Sequence, residues 1–179
     1  MITGFADVDA VNEIINILFL PLVWAFFHVI KVIFSAPLGS LSDRIGRKKV
    51  INTGWAIYSF VYVSFALLVF LPVQLQVITT FILFAVYALF YAFTEGAEKA
   101  LVADLVKENQ RGSAYGIYNF SLGLGALPAS IIFGFIYSWF DKRFPGFGGT
   151  VAFGFGALIA VSSMILLSSY VNEPVRSDH

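Results

Sequence analysis

The sequence contains no cysteine, which removes disulfides, thiolate metal sites and thiol nucleophiles. Charge is scarce too: Asp, Glu, Lys and Arg make up 12% of the 179 residues, about half the share usual in a soluble domain. Acids and bases balance to a formal net charge of zero, so there is no electrostatic case for nucleic acid as a partner. Only two histidines occur, and neither H-E-x-x-H nor G-x-S-x-G is present. An enzyme would need a nucleophile, an acid–base pair or a metal cluster, so no catalytic residue, no metal site and no enzymatic activity are expected. The chain opens without a basic leader and cleavage site; Asp7, Asp9 and Glu13 stand there instead, which is not the pattern of a signal peptide.

What is present is oil. Hydrophobic residues make up 59% of the chain and aromatics 17%, more than one core can hide, so lipid is the expected solvent for much of the surface. No Asp, Glu, Lys or Arg occurs from Val50 to Thr94, from Gly112 to Phe140, or from Phe144 to Asn172. A helix needs about 20 apolar residues to cross the hydrocarbon, so the first run holds two crossings, joined by the turn "LPVQLQ" at Leu71 to Gln76. The expected fold is all-α, a polytopic transmembrane bundle of five spans near 13–38, 50–71, 76–103, 112–139 and 148–171. Residues 1–12 form an arm, 39–49 and 104–111 form loops, and 172–179 form a tail. The runs lack strict alternation and exceed barrel-strand length, which argues against a β-barrel; a soluble bundle would need polar outer faces.

Alternate loops must lie on opposite sides of the membrane. One side carries Arg44, Arg47, Lys48, Lys49, Lys99, Lys107, Arg111 and Arg176; the other carries only Lys142 and Arg143. By the positive-inside rule, loops 39–49 and 104–111 and the tail are cytoplasmic and the arm is outside, in a cell (inner or plasma) membrane. Trp139, Tyr137 and Phe140 fall where an outer aromatic belt belongs. An odd number of spans beginning outside suggests a piece of something larger.

The most informative stretch is Gly39-Ser-Leu-Ser-Asp43-Arg44-Ile-Gly46-Arg47-Lys48-Lys49-Val50. Gly39 suits close helix approach in lipid, and Asp43 suits the positive end of a helix. Gly46 suits a tight turn, and the basic cluster suits anionic lipid and cytoplasmic water. The stretch resembles the signature loop of the major facilitator superfamily, G-x-L-x-D-R-x-G-R-[RK]-x-[VIL], with every defined position filled. The segment from Thr94 to Ser130 is similar to that family's helix ten, cytoplasmic loop and helix eleven. The resemblance implies that the spans are helices eight to twelve, a partial fold of less than half a complete transporter. A missing N-terminal half is then the expected partner, beside the lipid bilayer and a small-molecule solute.

Lys31 is the one charge deep in the first span. An unpaired lysine there costs roughly 2.5–3.5 kcal/mol on insertion scales, so it needs a partner or a wet cavity. At 1.5 Å per residue it lies about 12 Å above the turn expected at Gly39, and Glu95 lies about 13 Å above the loop after Asp104. The matched depths predict a Lys31–Glu95 pair facing a central cavity, with His28 one turn away, handling protons or an ionic substrate. Glu98 and Lys99 read as a local helix-end network, with Lys99 reaching for water. The resemblance further implies a cytoplasmic charge network that latches one state, drawn from Asp43, Arg44, Glu98 or Asp104, and Arg111. Gly112, Gly116, Gly123 and Gly125 are expected to pack closely against a neighbour, with a kink at Pro128.

The resemblance thus implies a secondary transporter of small solutes working by alternating access, with no cofactor beyond a proton that the buried pair could couple. The alternative is a truncated, transport-inactive membrane fragment with only a structural or interaction role.

Overall fold

Backbone N–H and C=O groups in hydrocarbon must find partners within their own segment, and each apolar run does so as one long helix. A computed structural model describes residues 6–171. The expected tail, 172–179, and the first five residues of the arm lie outside the described residues. The helices are α1 (Ala6–Ile45), α2 (Arg47–Leu67), α3 (Val73–Asp104), α4 (Arg111–Arg143) and α5 (Gly148–Tyr170), and each contains a stretch long and apolar enough to cross a membrane.

The connections are shorter than the charge pattern suggested. The expected loop at 39–49 is not a loop: α1 continues through Ile45 and α2 begins at Arg47, leaving Gly46 alone between them. Gly46 sits at φ 99°, a left-handed backbone that a residue with a Cβ adopts at a cost, and this is what breaks the helix. Residues 6–12 of the expected arm belong to α1. The turn at 71–76 shrinks to Leu71 and Pro72 after a short 3-10 turn at Leu68–Phe70, and Pro72 caps the start of α3. Between α3 and α4 the chain makes a 3-10 turn at Glu108–Gln110. Before α5, Gly146 turns at φ 86° and donates its N–H to Asp141 Oδ1 at 3.0 Å.

In space the order is α1, α3, α2, α5, α4, each packed on the next; α1 touches α2, and α3 touches α4, only lightly. At the end of the bundle where α1 meets α2, Val50, Ile51, Ala97 and Leu101 form a buried cluster ringed by Leu41, Trp55, Phe93, Leu167 and Val171. Further along, the α2–α3–α5 seam is aromatic: Tyr58 stacks on Tyr62 at 4.0 Å, Tyr87 on Phe90 at 5.9 Å and Phe65 on Phe153 at 5.0 Å. Large apolar side chains such as Val32, Phe60, Leu127, Ile131 and Leu158 point outward. That is the arrangement expected where the solvent is lipid.

Close helix approach falls on glycines other than those the spacing favoured. A Cβ added at Gly39, Gly112, Gly116, Gly123 or Gly125 would meet nothing within 4 Å, so none of them lies tight against a described neighbour. No residue of α4 is buried among the described residues, and α4 runs as one helix through Pro128. The tight contacts are instead at Gly54, where an added Cβ would lie 2.4 Å from Thr94 Cγ2, and at Gly148 and Gly156, 2.5 Å from Tyr137 O and 2.6 Å from the Tyr62 ring.

Candidate functional site

Two groups of charged side chains stand out, one within the spans and one at the turn between α1 and α2. Within the spans, the long packed seam of α1 on α3 brings Lys31 Nζ to 2.5 Å from Glu95 Oε2. Lys99, one turn along α3, reaches the other oxygen of the same carboxylate at 3.1 Å. The Lys31 ammonium also stands 5.7 Å from the centre of the Tyr91 ring, a cation–π distance, and the Tyr91 and Tyr87 hydroxyls are 3.3 Å apart. The pair is reachable rather than sealed, with the Lys31 side chain 23% and the Glu95 side chain 40% exposed.

Because α1 runs on to Ile45, Lys31 lies about 22 Å along the helix from the Gly46 turn at 1.5 Å per residue. The turn expected at Gly39, about 12 Å from Lys31, thus lies seven residues further along the chain, at Gly46. His28 takes no part in the ion pair; its ring stands edge-on to Trp24 at 4.8 Å and Phe27 at 5.3 Å.

Glu98 departs from its expected place in the cytoplasmic network. It faces α4, where Tyr118 Oη donates to its Oε2 at 2.6 Å. Tyr118 escaped the sequence reading because nothing in the spacing of a Tyr and a Glu on two different helices marks them as neighbours.

At the turn between α1 and α2 the hub is Arg47. Its guanidinium pairs with Asp43 across the Gly46 turn, reaches Asp104 Oδ2 at the end of α3 at 3.3 Å, and donates to Ser42 Oγ at 2.8 Å. Ser42 is almost fully buried and itself donates to Gly39 O. The Arg47 side chain is only 14% exposed, so three helix ends meet on one planar donor. This differs from the network implied by resemblance in two members: Arg44 is exposed and forms no ion pair among the described residues, and Arg111 pairs with Glu108 at 3.7 Å.

Lys48, expected to face lipid and water, extends instead to the last turn of α5. It donates to Ser168 O and to Val171 O, each at 2.7 Å, while Asn52 Nδ2 donates to Ser168 Oγ at 2.9 Å. A cation on the orphan carbonyls at a helix C-terminus both satisfies them and opposes the negative end of the dipole. Lys48→Met should therefore loosen the end of α5, with several-fold faster amide exchange near Leu167–Val171 by mass spectrometry, while Lys48→Arg restores protection. Unchanged exchange in Lys48→Met would remove this role.

A groove of about 720 Å³ opens between α2, α4 and α5, lined among others by Trp55, Tyr58, Tyr62, Phe133 and Gly156; no charged side chain lines it. Among the described residues no three His, Cys, Asp or Glu side chains gather where they could hold a metal ion.

Compared with known proteins, residues 10–179 match the family described as the Major Facilitator Superfamily. The chain is 34% identical over 144 residues to an uncharacterized MFS-type transporter of Methanocaldococcus jannaschii, an alignment covering 80% of this chain and 33% of that protein. It therefore spans about a third of the length of the relative it matches. No solved structure matches it.

Proposed function

Because the chain belongs to the Major Facilitator Superfamily, we propose that it is the C-terminal part, helices eight to twelve, of a secondary transporter that moves small solutes by alternating access. The N-terminal end of α1 faces outward, and the Arg47 hub and C-terminal tail face the cytoplasm, in the cell membrane. The observation that carries the reading is the Lys31–Glu95 pair: a reachable ion pair between two apolar spans is costly unless it serves a substrate or ion path.

The helices then divide the work. The Lys31–Glu95 pair lines a path formed against an N-terminal half, and the bundle rocks as a body about that path. Arg47 ties the α1–α2 turn to the end of α3 and holds the cytoplasmic rim together in one of the two states. Releasing Asp104 from Arg47 frees the end of α3 to move relative to that turn.

The test is reconstitution of the full-length transporter carrying this segment into liposomes, with solute flux followed under imposed pH and ion gradients. Flux is expected from the full-length protein, none from residues 1–179 alone, and Lys31→Ala should abolish gradient-driven flux. A full-length protein that moved no solute under any gradient would overturn the transporter reading, and unaltered flux in Lys31→Ala would remove the pair from the path.

A further inference from the structure

The run from Arg44 to Lys49 holds four basic side chains, and the fold uses two of them internally. Arg47 turns onto Asp43, Asp104 and Ser42, and Lys48 reaches across to the carbonyls that end α5. Arg44 and Lys49 are exposed and form no ion pair among the described residues. The acids around them are engaged. Asp43 and Asp104 both lie on Arg47, Glu108 lies on Arg111, and Glu95 and Glu98 are matched in number by Lys31 and Lys99. With the hub counted in full, the turn carries Arg44, Arg47, Lys48 and Lys49 against the two carboxylates of Asp43 and Asp104.

The position of these two side chains decides what they meet. Arg44 ends a line of exposed residues on α1, after Ile33, Ala36 and Ser40. Lys49 begins a similar line on α2, before Thr53, Ala56 and Phe60. Steps of three and four place each line on one helix face, and neither line carries a further charge. Gly46 alone separates the two helices, which otherwise touch only lightly. Each predominantly apolar line therefore ends in a cation beside the same turn. A phospholipid has that order of parts, acyl chains first and phosphate at the end, and basic clusters at the ends of spans attract anionic headgroups. A soluble anion would meet the cations and leave the apolar lines unused. A zwitterionic lipid brings its own cation and would leave the positive charge of the turn in place. We propose that the α1–α2 turn binds an anionic glycerophospholipid, its phosphate on Arg44 and Lys49 and its acyl chains along the two lines. The assignment goes beyond the transporter reading, and it holds whichever leaflet this end of the bundle faces.

Three probes separate the possibilities: dioleoyl phosphatidylglycerol, dioleoyl phosphatidylcholine and glycerol 3-phosphate. The two lipids share their chains and differ in net charge; the third has the phosphate and no chains. The purified 179-residue chain, in a non-ionic detergent and checked for helicity by circular dichroism, is given both lipids in equal amount. Native mass spectrometry reads how much of each stays bound. One basic side chain near an anionic surface is worth about fivefold in binding, so two should favour phosphatidylglycerol by about tenfold or more. Arg44→Gln with Lys49→Gln should abolish that preference, and Arg44→Lys with Lys49→Arg should keep it. Lys107→Gln with Lys142→Gln removes the same charge from two other exposed positions and should leave the preference intact. That contrast separates a site from general attraction to a basic surface. Millimolar glycerol 3-phosphate should not displace the lipid.

Equal retention of the two lipids by the wild type, an unchanged preference without Arg44 and Lys49, or an equal loss in the Lys107 and Lys142 control would each overturn the proposal. So would displacement by glycerol 3-phosphate, which would make the ligand a free phosphate. Absent flux from the full-length protein beside an intact lipid preference in this chain would strike the transporter reading and leave the lipid site standing.

Discussion

Arg47→Ala should lower solute flux in the reconstituted full-length transporter by about tenfold or more, in the range of coupling energies that set two-state equilibria in proteins. The residue touches no solute in this reading; its effect runs through the end of the bundle where α1, α2 and α3 meet. Removing the guanidinium leaves Asp43 and Asp104 without the cation between them and leaves the buried Ser42 hydroxyl without its donor. The end of α3 is then no longer tied to the α1–α2 turn, and the state that needs this tie is depopulated. Arg47→Lys should recover only part of the rate, since an ammonium lacks the planar fork that meets two carboxylates and a hydroxyl together. Lys49→Ala, an exposed neighbour in the same run, should change flux little. Wild-type flux in Arg47→Ala would dismiss the latch, and equal loss in Lys49→Ala would reduce it to a general effect of positive charge.

The second large effect concerns packing. Gly54→Val places new methyl groups where α2 and α3 already touch: even a bare Cβ would lie 2.4 Å from Thr94 Cγ2, 3.2 Å from Phe93 Cβ and 3.4 Å from the Phe90 carbonyl. Overpacking of this kind costs about 1–3 kcal/mol, and a chain of this size should lose roughly 5–10 °C of melting temperature at the upper end of that range. The smaller Gly54→Ala should be partly rescued by Thr94→Ser, which deletes the clashing methyl and keeps the hydroxyl that donates to Phe90 O at 3.0 Å. Gly39→Ala is the control, since its added Cβ meets nothing within 4 Å. The measurement is thermal unfolding in detergent followed by tryptophan fluorescence. A Gly54→Val protein that melted with the wild type would show that α2 and α3 do not pack as described.

Spans and charge depth were legible in one dimension, because uncharged length and distance from a helix end are properties of the string. That is why the counting that set Lys31 against Glu95 led to two side chains the fold does bring together, even though the turn it counted from was misplaced. A dense run of polar residues at 39–49 reads as a loop. Yet Ser, Asp and Arg are tolerated in a last helical turn, and only the left-handed backbone at Gly46 ends the helix. Glycine roles were the least legible. Gly112 and Gly116 have the spacing of a close-packing pair, whereas Gly54 stands alone in "NTGW"; which of them meets a neighbour depends on how each helix is rotated, and composition does not encode that. The same limit hid the Tyr118–Glu98 contact. Its two residues lie 20 positions apart on helices that touch lightly.

The single residue between α1 and α2 has mechanical meaning. One extended residue spans about 3.5 Å, so these two rods cannot slide past each other lengthwise; they can only pivot at their shared tip. Lys31 stands about 22 Å out along one arm of that hinge at the rise of an α-helix. The other arm carries Lys48, riveted to the end of α5. A few degrees of opening at that turn carries the Lys31 position of α1 about 1–2 Å relative to α2 at that arm length, and Lys48 ties α2 to the last helix.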